Sequence, residues 1–355
     1  MSNTVLINGT GTIGEPLISL LLGIKKELGI DNVLFYKHTA RLTDRPMLQS
    51  LINRGGQMVV EKGRESQFRE LDLEPSMNFE DGLKQANVVI DATKEGVGMY
   101  NKEHYYSKYE DSIKGFMAQG SESAFGKIYA SGINDEIFVK NKFEKYVQIA
   151  SCNTHAAAAA IKHFGFAGGD NNLESVDLTF IRRASDVSQN KSVPAPEVTK
   201  FKYERFGTHH AKDVNRLFMT MDHDIQVFST ALKVNSQYMH TLSAHMKLKK
   251  EMTKDEVMKI INDTPQLAMT NKTSVNQVFS FGRDHGYYGR ILNQSVIVEP
   301  SIAAHGKDLY FWSMTPQDGN SILSSVRAAL YYLYEEKEKV DELMKATSPW
   351  LFNEV

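Results

Sequence analysis

The 355 residues contain a single cysteine, Cys152. One thiol cannot close an internal disulfide, and without Cys/His pairs around it there is no structural zinc site. An excess of one charge is also missing: 41 Lys and Arg stand against 43 Asp and Glu, a formal net charge of −2. Nothing here points to nucleic acid, and no charge block reads as an interaction tail. No apolar run is long enough to span a bilayer, and Met1-Ser2-Asn3-Thr4 lacks the positive region that opens a signal peptide. Internal repeats are absent. The expectation is a cytoplasmic protein with no metal, no nucleic-acid partner and no membrane partner. Hydrophobic residues at 41% are enough to bury a core, and the length suits two domains.

The patterning then divides the chain near residue 150. Thr4 to Asn8, Asn32 to Lys37, Asn87 to Asp91, Lys114 to Ala118 and Tyr146 to Ala150 read as buried parallel strands. Between the first two, Ile13 to Leu28 has helical spacing, with Ile13, Leu17, Leu20, Leu21 and Ile24 on one face. Such alternation predicts a doubly wound α/β domain. After Cys152 the character changes. His155 to Phe164 reads as an alanine-rich helix, and Leu178 to Arg182, Gln226 to Val234 and His245 to Lys249 as strands of a different sheet. Ser185 to Glu197 is polar, carries two prolines and reads as a loop; Lys254 to Asp263 and Ser321 to Thr347 read as helices, the last one long and ending the chain. The fold class is therefore α/β: an N-terminal doubly wound (Rossmann) domain plus an α+β domain with a mixed or antiparallel sheet.

Directly after the first strand stands Asn8-Gly9-Thr10-Gly11-Thr12-Ile13-Gly14. Glycines in a G-x-G-x-x-G turn let a pyrophosphate approach closely and rest on free N–H groups at a helix start. The strand before it and the helix after it are the context that gives this motif weight. A group that reads the ribose belongs at the end of the second strand. There the chain offers Lys37-His38-Thr39-Ala40-Arg41, with no carboxylate before Asp44. Lys37 and Thr39, with Arg41, could hold a 2′-phosphate, so NADP is expected alongside or instead of NAD. The competing reading of Lys37 is a solvated strand end.

Cys152 lies in Ala150-Ser151-Cys152-Asn153-Thr154, between a strand and the alanine-rich helix. A helix start lowers a thiol's pKa through the dipole and free N–H donors, which suits covalent attack on a carbonyl. For a lone cysteine the plain alternative is an inert, buried thiol. Spacing alone does not choose a base among His209, His210, His240 and His245. Arg182 and Arg183 follow an apolar strand, and such a pair either clamps a substrate phosphate or forms surface ion pairs.

With these residues in hand the chain resembles the archaeal-type (type II) phosphorylating glyceraldehyde-3-phosphate dehydrogenases. The likeness is carried by Ile7 to Gly14, Val89 to Gly98, Gln119-Gly120-Ser121-Glu122, Ala150 to Thr154, Ile181-Arg182-Arg183-Ala184, Thr208 to Val214, Tyr238-Met239-His240 and Pro316-Gln317-Asp318, in that order. The resemblance implies that Gly9, Gly11, Thr12, Ile13, Gly14, Thr93 and Gly120 contact the dinucleotide, with Gln317 near its nicotinamide end. It implies Cys152 as nucleophile with Ser151 and Asn153 beside it, and His240 as general base. Arg182, Arg183, His209 and His210 would bind glyceraldehyde 3-phosphate or inorganic phosphate. A homotetramer is implied, and a C-terminal helix that packs back on the cofactor domain. The domains would then be 1–151 with 318–355 for the dinucleotide, and 152–317 for catalysis.

The chain departs from the family's pattern around the substrate pocket. Leu242 stands where a second His usually follows the base, Asn235-Ser236-Gln237 replaces Pro-Thr-Thr, Asn190-Lys191-Ser192-Val193-Pro194 lacks the usual glycine, and His155 replaces a threonine. Two other readings keep the glycine loop. A related acyl-CoA reductase or semialdehyde dehydrogenase would share the thioester chemistry but not the paired basic residues. A non-catalytic dinucleotide-binding regulator would not need Cys152 and His240.

Overall fold

The computed structural model describes residues 2–120, 122–139, 143–186, 189, 192–236 and 238–355. Ser121, Asn190, Lys191 and Gln237 lie outside the described residues, as do Val187 and Ser188 of the polar loop. The chain forms two compact units.

The first unit comprises Met1–Tyr129, Glu136–Ile149 and Ser324–Ala346. Its strands are β1 (Thr4–Asn8), β2 (Asn32–Tyr36), β3 (Gln57–Val60), β4 (Met77–Asn78), β5 (Val88–Asp91), β6 (Gly115–Gln119), β7 (Lys127–Tyr129) and β8 (Tyr146–Ile149). They pair in the order β4-β3-β2-β1-β5-β6-β8-β7, every neighbour parallel. This is the doubly wound sheet expected, extended by three strands that the patterning did not show: β3, β4 and β7. Parallel strands are covered on both faces, and β1 and β5 are accordingly buried at every residue. The strand order reverses between β1 and β5, which opens a ligand crevice at their C-terminal ends.

The helix after β1 runs over Gly14–Ile24, ending earlier than its apolar spacing suggests. It is buried at nine of its eleven positions rather than along one stripe, because Leu17-Ile18 and Leu20-Leu21-Leu22 wrap apolar residues around it. The long final helix is in fact two, Gly319–Tyr334 and Lys337–Met344, and neither ends the chain. Glu335 breaks them with a φ of 63°, and Val355 ends on the backbone of Met269 at 2.8 Å. Tyr332 anchors the first of the two helices: its hydroxyl donates to Glu144 O at 2.8 Å, and a Cβ on Gly115 would lie 2.1 Å from its ring.

The second unit comprises Ala130–Asp135, Ala150–Leu323 and Thr347–Val355. Its strands are β9 (Leu173–Arg182), β10 (Glu197–Val198), β11 (Val227–Lys233), β12 (His240–Leu248), β13 (Leu267–Thr270), β14 (Ser295–His305) and β15 (Asp308–Thr315). They form one mixed sheet, β10-β11-β9-β12-β15-β14-β13. Along β12 burial alternates, since one face packs on helices and the other carries Thr241, Ser243 and His245. Those polar residues hide the strand's start from a hydrophobicity reading, and it begins at His240, not His245. The alanine-rich helix lies on β12, β14 and β15 and spans Cys152–Ala160. It starts three residues earlier than expected because Ser151 caps it, accepting the Thr154 N–H at 3.4 Å. Among the described residues no helix is long and apolar enough to cross a membrane.

Candidate active site

In the first unit the three glycines of the loop answer to different constraints. Gly9 has a φ of 109°, and a Cβ there would sit 2.9 Å from Ala92 O. A Cβ on Gly14 would come within 2.0 Å of Gly9 O. Turn geometry and packing therefore require both. At Gly11 a Cβ would meet nothing within 4 Å, so no protein atom explains that glycine. It opens a space beside a helix whose N-cap, Ile13, supplies no side-chain cap. Glu15 N–H is already taken by Gly11 O at 3.0 Å and Pro16 has none, so it is the room at Gly11 beside the helix start that fits a pyrophosphate.

Around the loop, Thr93 donates its hydroxyl to Asp91, whose other oxygen accepts from Tyr106 OH at 2.6 Å and Asn101 Nδ2 at 2.8 Å. Gly120 takes a φ of 60° at the end of β6. Lys37 is no solvated strand end. Its ammonium reaches Asp44 at 2.6 Å and Thr10 of the glycine loop at 3.2 Å. The carboxylate missing from the strand end is thus returned by the turn at 42–44 and occupies the lysine expected to bind a 2′-phosphate. Thr39 is half-buried nearby in sequence and Arg41 is exposed.

In the second unit Cys152 is the first residue of its helix and half-buried. Gln317 Nε2 donates to its sulfur at 3.4 Å, and Asn320 Nδ2 to its carbonyl at 3.0 Å. Gln317, assigned by resemblance to the nicotinamide end, is here a neighbour of the thiol. The sequence suggested a lowered thiol pKa. Burial instead pushes it up, against the Gln317 hydrogen bond and the Arg183 charge, with Asp318 and Asp186 adding to the rise. The helix start is present, but the pocket walls withdraw more solvation than it returns. Asn153 is buried, its amide oxygen accepting from Thr315 Oγ1 at 3.4 Å.

His240 is buried at the start of β12, and its Nδ1 accepts the Arg183 backbone N–H at 2.8 Å. Burial, reinforced by the charges of Arg183 and Arg182, holds the ring well below the usual imidazole range, so it is neutral at pH 7. With Nδ1 occupied as an acceptor, the single proton of the neutral ring sits on Nε2. That tautomer donates from Nε2 and has no lone pair there, so the resting ring offers a proton at Nε2. No hydrogen bond joins His240 to Cys152 among the described residues.

His209 and His210 open the helix His209–Met219. His210 is buried between Phe180 and His209, ring centroids 4.4 and 4.0 Å away, and neither of its ring nitrogens has a hydrogen-bond partner among the described residues. Burial, with His209 and Arg182 working in the same direction, holds it well below the usual imidazole range. The Nε atoms of Arg182 and Arg183 are likewise buried and without a hydrogen-bond partner among the described residues. Each such group costs about 1–3 kcal/mol unless a ligand satisfies it. The structure thus brings Arg182, Arg183, His210 and His240 within electrostatic reach of one another. It excludes His245, which pairs with Asp308 at 2.7 Å and stacks on Tyr310. His155 is buried with Nδ1 2.9 Å from Ser151 O, its pKa lowered to about 4 by burial. Two residues escaped the sequence reading: Asn320, which holds the Cys152 carbonyl, and Arg290, whose only advance signal was the Gly-Tyr-Tyr-Gly turn before it. Among the described residues no group of three His, Cys, Asp or Glu is arranged to hold a metal ion.

The first unit thus has the Rossmann architecture of a nucleotide binder, and the second carries a thiol at a helix start beside buried cations. No family model matches the chain. Over nearly its whole length it is similar to proteins named glyceraldehyde-3-phosphate dehydrogenase. The one from Pyrobaculum neutrophilum is 24% identical over 351 residues, covering 96% of this chain and 97% of the relative. Its namesake from Sulfolobus acidocaldarius is 25% identical, with 92% of each chain covered. The Methanopyrus kandleri protein is 26% identical over 97% of this chain and 95% of its own.

Proposed function

We propose that this protein is an NAD(P)-dependent, phosphorylating glyceraldehyde-3-phosphate dehydrogenase of the archaeal type. It converts D-glyceraldehyde 3-phosphate and inorganic phosphate to 1,3-bisphosphoglycerate, and runs the reverse reduction, as a cytoplasmic homotetramer. The observation that carries this reading is the placement of the only cysteine: first residue of a capped helix, with the Gln317 amide on its sulfur and the Arg183 charge acting on it.

Gly9, Gly11, Thr12, Ile13 and Gly14, with Thr93 and Gly120, hold the dinucleotide, and Lys37 and Thr39 sit towards its ribose. Bound NAD or NADP supplies the hydride acceptor. Cys152 loses its proton to solvent and the thiolate attacks the aldehyde carbon, giving a hemithioacetal oxyanion. We assign the Cys152 N–H and the His240 Nε2–H as its donors. Asn153, whose Oδ1 accepts from Thr315 Oγ1, stands beside the nucleophile at the helix start. Loss of hydride from that carbon leaves a thioester on Cys152. Inorganic phosphate then attacks the thioester carbonyl, the carbon–sulfur bond breaks, and acyl phosphate and thiolate separate. Arg182, Arg183, His209 and His210 hold the phosphate groups, a reading supported by Arg182 Nε, Arg183 Nε and the His210 ring nitrogens, which are buried without a partner among the described residues.

Progress curves with NAD and with NADP, each with and without inorganic phosphate, test the whole reading. Without phosphate, reduced dinucleotide should stop near one equivalent of enzyme; with phosphate it should accumulate continuously. Turnover indifferent to phosphate would sink the phosphorylating assignment. Two narrower results are expected. Gly11→Val should weaken dinucleotide binding by at least about tenfold, roughly 1.4 kcal/mol, in a fluorescence titration. Its Tm should change little, because the added Cβ meets no protein atom within 4 Å; a drop in Tm with unchanged binding would make Gly11 a folding glycine. The second concerns the ligand-free thiol. Alkylation of Cys152 by iodoacetamide should be slow at neutral pH and still climbing at pH 9.0, the ordinary value above which burial raises it. A plateau reached by pH 7 would mean that the helix start prevails after all.

A further inference from the structure

In the first unit an ion pair stands at the end of β2, beside the glycine loop. Gly9 donates its N–H to Tyr36 O at 3.3 Å, and Lys37 donates its own to Val59 O at 2.9 Å, so loop and strand end are tied together. From there the Lys37 ammonium turns back onto the loop and donates to Thr10 Oγ1 at 3.2 Å. Asp44 Oδ2 accepts from the same ammonium at 2.6 Å. The two side chains are only 15% and 24% exposed, so water and salt screen this pair less than one on the open surface. In a dinucleotide-binding fold the groups at this strand end meet the adenosine ribose.

Asp44 is held in that place from behind. It is the N-cap of helix Arg45–Asn53, and a helix start favours a carboxylate. Its side chain nevertheless caps no N–H of that helix, because it is turned to Lys37. Its other oxygen, Oδ1, accepts from Thr43 Oγ1 at 3.4 Å, a long contact that leaves it capacity for a further donor. The neighbouring cations do not replace Lys37. Arg64 gives Nη1 to His38 O at 3.1 Å, and Arg41 is exposed. A second carboxylate, Glu61, follows β3 and accepts from Tyr36 OH at 3.0 Å.

We propose that Asp44 makes this site prefer NAD to NADP: its Oδ1 accepts from the ribose 2′-hydroxyl, and its charge turns away a 2′-phosphate. The acid that NAD sites commonly carry at the end of the second strand is here delivered by the turn that follows it. A 2′-phosphate would bring a charge of about −1.5 to −2 towards a carboxylate. Lys37, the cation placed to receive it, is already neutralised. Asp44 is therefore a specificity residue, and Lys37 positions it, being pinned in turn by Thr10. The inference rests on the dehydrogenase reading above for the dinucleotide itself, but not for which of its two forms is chosen.

Calorimetric titration with NAD and, separately, NADP tests it without aldehyde or turnover. Wild-type protein should bind NAD more tightly than NADP by about tenfold or more, the scale of one charge-assisted hydrogen bond. Asp44→Asn keeps the side chain's shape and a good N-cap but removes the charge. It should tighten NADP by about tenfold, because Lys37 is released to the phosphate, and leave NAD bound no better than before. Asp44→Ser, also a good N-cap, gives the same test if the asparagine variant fails to fold. Wild-type protein that binds NADP as tightly as NAD overturns the assignment. An active dehydrogenase whose preference ignores Asp44 defeats this inference only. A protein without dehydrogenase activity that still shows the Asp44-dependent preference defeats the functional reading only. Binding of neither dinucleotide defeats both.

Discussion

Cys152→Ser is expected to lose turnover by on the order of 10⁴-fold or more, the scale seen when a covalent nucleophile is removed. The argument is one of supply as much as geometry. There is one thiol in the chain, so no second cysteine can take over. A serine hydroxyl at the same helix start remains protonated at any workable pH and needs a base to attack, and His240, in its resting tautomer, has no lone pair to offer at Nε2. Dinucleotide binding should survive, because the glycine loop belongs to the other compact unit. Mass spectrometry sharpens the test. Wild-type protein given aldehyde and oxidised dinucleotide without phosphate should gain one acyl group on the Cys152 peptide. The serine variant should gain none. A variant that kept a substantial rate, or a wild-type protein that never carried the adduct, would end the thioester mechanism.

Much of the frame behind that prediction was legible in the residues. The glycine loop could be read because its spacing, the strand before it and the helix after it are all local. The structure then gave each glycine its own reason, two steric and one pointing outward. The helix at Cys152 was legible too, apart from its first turn, which depends on Ser151 acting as a cap. What spacing could not carry was anything set by residues far apart in the chain. Burial raises the thiol's pKa over the opposing pull of Gln317 and Arg183, and Asp318 adds to the rise; all three lie far along the chain, so a local helix-dipole argument gave the wrong sign. The Lys37–Asp44 pair needed the turn after β2 to bring a carboxylate back to the strand end. Arg290 meets Asp318 only because β14 and β15 pair between them. The final helix was read as continuous since Glu335-Glu336 are good helix formers, and only a left-handed backbone at Glu335 stops it.

The role of His240 belongs to the same class. Pairing of Thr241 with Ile181 sets the β12 and β9 register, and that register delivers the Arg183 N–H to Nδ1. From this one hydrogen bond follows a prediction that separates donor from base. His240→Ala should lower the acylation rate by about 10²–10³-fold, the loss that attends removal of an oxyanion donor. A proton-accepting histidine would show a loss of similar size, so that variant alone decides little. His240→Gln decides it. A glutamine amide can place an N–H near the position of the imidazole Nε2 but cannot accept a proton at working pH. Under the donor role it should recover a measurable part of the rate lost in the alanine variant, about tenfold. Under the base role the two variants are equally slow. The thiol gives an independent readout: a base or ion-pair partner would help the sulfur ionise, whereas a donor aimed at the carbonyl oxygen would not. Iodoacetamide alkylation of Cys152 should therefore follow the same pH profile in wild type and His240→Gln. A profile displaced to higher pH in the variant would restore His240 as the acceptor of the thiol proton.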